Sequence, residues 1–142
     1  MKAKILVESR FRVVAVMDGD DCPVEDFLTK GEKNTEAHRA GLYVLMERAA
    51  NEGLQALSTA QFHEVDKNNG IYEFIKGPLR LFCFKGSDGV VAVCTDGARK
   101  QGRKVDKAAV QSAIRAKADY MSAQQNEALE FVREEDDQDE TQ

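Results

Sequence analysis

Apolar and polar positions alternate differently in different parts of this chain, and the changes of rhythm mark its elements. The stretch AKILVESRFRVVAVM, residues 3–17, is dense in valine and isoleucine and interrupted by Arg10 and Arg12, which predicts one long or two short strands. DGDDCP is a turn cluster, after which Pro23 opens a short helix with Val24, Phe27 and Leu28 on one face and acids in its first turn. GEKN ends that helix, and Asn34 or Thr35 is placed to cap a second. In the second helix Leu42, Leu45, Met46 and Ala49 follow the i, i+3, i+4, i+7 spacing of a buried stripe, with Gly53 as its stop.

Residues 54–70 read as a polar connection anchored by Leu54, Leu57 and Phe62 and closed by the turn KNNG. Three short strands follow, IYEFIK, LRLFCF and VVAVCT, joined by GP and KGSDG. Strands joined so tightly must be antiparallel neighbours. Asp106 is placed to cap a last helix whose inner face holds Val110, Ala113, Ile114, Lys117 and Met121. The expected fold is α+β, an antiparallel sheet with an N-terminal helical hairpin and a C-terminal helix packed on it. The expected organisation is one domain over residues 1–126 and an acidic, disordered tail over 127–142.

Charge sharpens this picture once it is divided along the chain. The formal net charge is −5, but residues 127–142 carry eight acids against one base. Residues 76–117 carry ten bases against Asp88, Asp96 and Asp106. The acidity is a tail, and the body has a basic half. Its densest part is TDGARKQGRK, which follows the apolar run VVAVC and holds Arg99, Lys100, Arg103 and Lys104. Cys22, Cys83 and Cys94 are odd in number and lack metal-ligand spacing, so with only two histidines no metal site is expected. The start lacks a signal-peptide pattern, no apolar run is long enough for a membrane helix, and the cysteines fit a reduced cytoplasmic setting.

The segments DGDDCPVEDFLTKG and IYEFIKGPLRLFCFKGSDGVVAVCTDGARKQGRK, each followed by a helix, resemble the phage-derived HigB-like toxins of the RelE/ParE superfamily, the toxin halves of type II toxin–antitoxin systems. The family's first-helix, strand and basic-strand-end patterns fall on Pro23–Leu28, Ile71–Ile75, Leu79–Phe84 and Thr95–Arg103, and the likeness covers about residues 11–122. The resemblance implies a metal-independent and cofactor-free mRNA interferase that cleaves messenger RNA on the ribosome and is neutralised by a cognate antitoxin. It implies catalytic roles for Arg80, Arg99 and Lys100 and an RNA-binding role for Arg103, with Lys76 at a position often basic in the family; Lys85 and Lys104, further bases of the same half of the chain, are expected to bind RNA beside them. Two departures are evident: Thr95 stands where the family commonly has a histidine, and Lys104 and Val105 stand where it usually has Thr-Pro before the last helix.

Metal-free RNA cleavage needs the 2′-hydroxyl aligned behind phosphorus, charge stabilised in the transition state, and protons moved. Arginine and lysine serve the second need directly, and strand ends hold them on a rigid platform. A cluster of Lys76, Arg80, Arg99, Lys100 and Arg103 on one surface edge is therefore chemically sufficient to expect. Plainer roles stand beside each candidate. Arg80 can pair with Glu73, His63 sits in an ordinary polar loop, Tyr72 and Tyr120 suit packing, Cys83 and Cys94 suit the core, and Asp96 suits a turn. Two other functions remain open on the same residues: a ParE-like inhibitor of DNA gyrase, and a non-catalytic protein that binds RNA or a partner.

Overall fold

The computed structural model describes residues 1–100, 102 and 106–134. Two strands, β1 (Lys2–Glu8) and β2 (Arg12–Val16), are followed by helices α1 (Pro23–Thr29) and α2 (Glu36–Glu52). Strands β3 (Phe62–Asp66), β4 (Ile71–Lys76), β5 (Leu79–Phe84) and β6 (Val90–Arg99) come next, then helix α3 (Lys107–Gln125) and strand β7 (Glu130–Val132). They build one seven-stranded sheet in the order β3-β4-β5-β6-β2-β1-β7.

The α+β class holds, but the sheet is mixed rather than antiparallel. The β3–β4–β5–β6 meander and the β1–β2 hairpin are antiparallel, whereas β2 lies parallel to β6 and β1 parallel to β7. The reason lies in the helical hairpin, which carries the chain across one face of the sheet between β2 and the meander. The long crossover brings β6 back beside β2 in the same direction, as parallel neighbours require.

Helices cover both faces. α1 and α2 pack on Val13, Ala15, Leu81, Cys83, Ala92 and Cys94, while α3 packs on Val14, Phe82, Phe84 and Val93. A strand covered on both sides needs apolar residues at successive positions, and for that reason RVVAV and LRLFCF are nearly continuous apolar runs. Within LRLFCF the exception, Arg80, shares the α3 side with Phe82 and Phe84.

Most helix signals act locally as expected, but neither Asn34 nor Thr35 caps α2 with its side chain: Thr35 stands at the N-cap and its hydroxyl donates instead to the carbonyl of Glu32 at 2.7 Å. Pro23 begins α1, and Val24 and Leu28 are buried. Leu42, Leu45, Met46 and Ala49 are buried along α2, and Gly53 follows it with φ +98°. The Asp106 side chain accepts from the backbone N–H of Ala109 at 2.9 Å, capping α3. On α3, however, Tyr120 rather than Met121 continues the Val110–Ala113 face. Tyr120 is buried edge-on against Phe84, with ring centroids 5.3 Å apart, and Met121 is exposed.

Two more expectations change. The connection 54–70 contains β3, the outermost strand beyond β4, and Phe62 within it stacks on Tyr72 and leans on Phe74. Its polar side chains look like loop because an edge strand at the sheet's rim need bury only one face. Of the acidic segment expected as a disordered tail from residue 127, Glu130–Val132 instead form β7, and residues 135–142 lie outside the described residues. Phe131 and Val132 are apolar residues of that acidic run, and they pair with Ala3 and Lys4. The N-terminal amine donates to the carbonyl of Ala128 at 2.8 Å, and Arg133 pairs with Glu8. β7 thereby covers the edge that β1 would otherwise present.

Candidate nucleic-acid interface

The ends of β4, β5 and β6 meet at one corner of the sheet. Lys76 pairs with Leu79 and Leu79 with Arg99, so the three strand ends are in register. The next residue, Lys100, donates its backbone N–H to the carbonyl of Pro78 at 2.7 Å, which ties the basic run to the β4–β5 turn. Gly77 in that turn has φ +54°, and a Cβ there would come within 2.3 Å of the His38 ring. Only glycine meets both demands. Four of the residues singled out by the sequence, Lys76, Arg80, Arg99 and Lys100, therefore gather at one corner.

They do not share one surface. Lys76 and Arg99 lie on the α1–α2 side: the Lys76 side chain runs over Gly41 of α2, and Arg99 Nη1 donates to Glu32 Oε2 at 3.0 Å. Glu32 is held by a residue the sequence reading missed. Arg39 is buried, and it donates to Thr35 Oγ1 at 3.2 Å and to the carbonyls of Leu28 at 3.3 Å and Glu32 at 3.2 Å. Arg39 stands three residues before Leu42 and seven before Met46, so it continues the buried stripe of α2, but only its contacts reveal it as the clasp of the helical hairpin.

Arg80 and Lys100 belong to the α3 side, around a buried carboxylate. Glu73 is 7% exposed, opposite His63 on β3 and diagonal to Arg80 on β5. His63 Nε2 lies 3.2 Å from Glu73 Oε1, and Arg80 Nε lies 3.6 Å from the same oxygen. Burial pushes the Glu73 carboxyl above its ordinary 4.5, against the opposing pull of His63, Arg80 and Lys100. Arg80 Nη1 also donates to the carbonyls of Gly77 at 2.8 Å and Leu79 at 2.9 Å, which stiffens the turn. The Arg80 side chain is 15% exposed, so the expected surface arginine is largely built into the sheet.

Other expectations resolve individually. Lys85 follows the far end of β5, about 17 Å from Arg80 along an extended strand, and sits 4.7 Å over the Tyr72 ring. It is therefore separate from the basic corner. Arg103 and Lys104 lie outside the described residues. Thr95 is 5% exposed and donates to the carbonyl of Phe82 at 3.4 Å, so its hydroxyl is turned into the fold. Asp96 is in strand β6 rather than in a turn; one oxygen accepts from Ser112 of α3 at 3.0 Å, and the other is buried without a hydrogen bond among the described residues. Cys83 and Cys94 are fully buried, and desolvation raises both thiols well out of the reactive range. Among the described residues no group of three or more histidine, cysteine or acidic side chains is gathered for a metal, and no helix is long and apolar enough to cross a membrane.

No protein-family model matches this chain, and no curated protein matches it. The functional reading therefore rests on the residues and their geometry.

Proposed function

We propose that this chain is the toxin of a type II toxin–antitoxin system, a RelE/ParE-like, HigB-like mRNA interferase that cuts messenger RNA on the ribosome without a metal. The observation that carries the reading is the corner where β4, β5 and β6 end together, with Lys76, Arg80, Arg99 and Lys100 around the Gly77–Pro78 turn. On the α3 face of that corner Arg80 and Lys100 form a platform suited to RNA phosphate, while Lys76 and Arg99 stand on the opposite face, Arg99 engaged by Glu32. Lys100 is exposed and suited to phosphate contact, while Arg80 supports the platform from within. The element order, with a helical hairpin before the meander and a helix after it, agrees with the resemblance read from the sequence. A cognate antitoxin would act by covering this corner or by keeping the chain off the ribosome.

A second reading has an observation of its own. Thr95, in the position where the resembling family carries histidine, is buried and bonded to Phe82, which favours a non-catalytic RNA-binding protein. Mapping RNA 5′ ends after brief induction, with wild type against Lys100→Ala, separates the two. New ends in translated frames that vanish in the variant support the nuclease. Salt-dependent RNA binding without new ends supports the binding protein, and growth arrest with altered supercoiling supports a gyrase inhibitor.

A further inference from the structure

The chain has two histidines, His38 and His63. His38 packs on Gly77 on the α1–α2 side, whereas His63 lies on β3 beside the buried Glu73. The His63 ring is in an unusual bonding situation. Nε2 faces Glu73 Oε1 at 3.2 Å, and Nδ1 faces the main-chain carbonyl of Thr59 at 3.3 Å. A carbonyl oxygen can only accept, and an ionised carboxylate can only accept. Both contacts are satisfied together only when the pair holds one proton beyond a neutral imidazole and a carboxylate. That proton sits either on the ring or on Glu73.

We propose that His63 is the general acid of the basic corner, holding a proton that it shares with Glu73 and delivers from Nδ1 to the leaving oxygen of an RNA phosphodiester. This rests on the nuclease reading above and supplies what that reading lacks, a proton donor in place of the histidine absent at Thr95. The two ring nitrogens are not equivalent. Nε2 is anchored to a carboxylate buried in the sheet, while Nδ1 bonds to one exposed carbonyl at longer range on a side chain that is 40% exposed. Nδ1 is thus the atom that can exchange the Thr59 carbonyl for a substrate oxygen, and Glu73 orients the ring from behind. The charged groups facing the pair are Arg80 on β5 and Lys100 after β6, with Asp96 two strands away on the same face and engaged by Ser112 of α3. Two nearby cations and a proton shared by the His63–Glu73 pair suit a phosphodiester.

In the step itself the ribose 2′-oxygen bonds to phosphorus and the bond from phosphorus to the 5′-oxygen breaks. The 2′-hydroxyl proton leaves to water, Nδ1 gives its proton to the departing 5′-oxygen, and the pair later regains one proton from water. The products are a 2′,3′-cyclic phosphate and a 5′-hydroxyl end. His63 would touch the reacting oxygen and is catalytic in this sense; Glu73 acts through it and is a positioning residue.

The test uses the full chain with translating ribosomes and a defined messenger RNA, comparing wild type, His63→Ala and Glu73→Gln, with thermal melting of each. His63→Ala is expected to stay folded with a melting loss no larger than that of Arg80→Ala, to retain RNA binding, and to lose about 100-fold or more in cleavage rate. Glu73→Gln is expected to displace the pH profile of cleavage and to change the ring ¹⁵N shifts of His63 by NMR. Cleavage by wild type together with equal cleavage by folded His63→Ala overturns the assignment of the acid alone. Absence of cleavage by wild type overturns the nuclease reading and the acid with it. A His63 ring signature unaltered by Glu73→Gln overturns the shared proton.

Discussion

The Phe27 ring of α1 lies against the backbone of Gly97 in β6, so close that a Cβ at position 97 would fall 2.2 Å from the ring. Gly97 is the glycine of the TDGAR segment, and it lets the first helix sit down on the strand that ends in Arg99. A methyl group there must push the ring or the helix away. Gly97→Ala is therefore expected to lose roughly 1–3 kcal/mol of stability, the usual cost of overpacking. Chemical denaturation reads this directly, and an unchanged midpoint would show that α1 shifts freely.

Arg80 and Lys100 should separate in a stability measurement. Arg80→Ala leaves Glu73 buried beside fewer cations and removes two hydrogen bonds to the β4–β5 turn. Losing one partner of a largely buried pair costs on the order of 3 kcal/mol. Lys100→Ala removes an exposed side chain and should change stability by less than about 0.5 kcal/mol. The latter variant should instead lower the salt dependence of single-stranded RNA binding by about 0.7 in log–log slope for one lost phosphate contact. Equal melting losses in both variants would contradict this division of roles.

The raised pKa of Glu73 has a definite sign in stability. The folded chain holds this proton more tightly than the unfolded chain, whose carboxyl titrates at its ordinary 4.5. The contribution is full below that value and is lost as pH rises through the higher folded value. Relative to Glu73→Gln, wild type is expected to be most stable at the acid end and to lose ground as pH rises. Melting both proteins across the acid-to-neutral range gives the slope, and a difference that grows in favour of wild type with rising pH would refute the burial argument.

The C-terminal segment should divide at residue 134. Ending the chain at residue 126 removes β7, the Arg133–Glu8 pair and the bond from the N-terminal amine to Ala128, and it is expected to lower the melting temperature by several degrees. Ending it after Glu134 retains these contacts and removes Glu135, Asp136, Asp137, Asp139 and Glu140. That shorter cut is expected to leave melting unchanged and to tighten RNA binding at low salt, with the gain fading as salt is raised. Equal melting losses from both cuts would show that the stabilising contacts lie beyond residue 134.

The sequence by itself determined the elements whose causes are local. Proline at the start of α1, the apolar stripe and Gly53 of α2, and the Asp106 cap of α3 each act within a few residues, so each is legible in order along the chain. The nearly continuous apolar runs of β2 and β5 likewise announced burial on both faces. The basic corner was legible as residue types and spacing. Tertiary structure alone decided what those residues face. Whether β2 meets β6 in parallel depends on Arg12 and Val90 coming together across most of the chain, and no local rhythm records that pairing. β3 is a rim strand with mostly polar residues and β7 is three residues long inside an acidic run, so both gain their form from a neighbour rather than from their own pattern. The same holds at the site: Lys76 and Arg99 turn to one face, Arg80 and Lys100 belong to the other, and Glu73 changes from one more acid in a strand to a buried partner of His63. Side-chain identity is written residue by residue, but burial and pairing belong to residues far apart, and these set both the charge a group carries and the side from which a substrate could reach it.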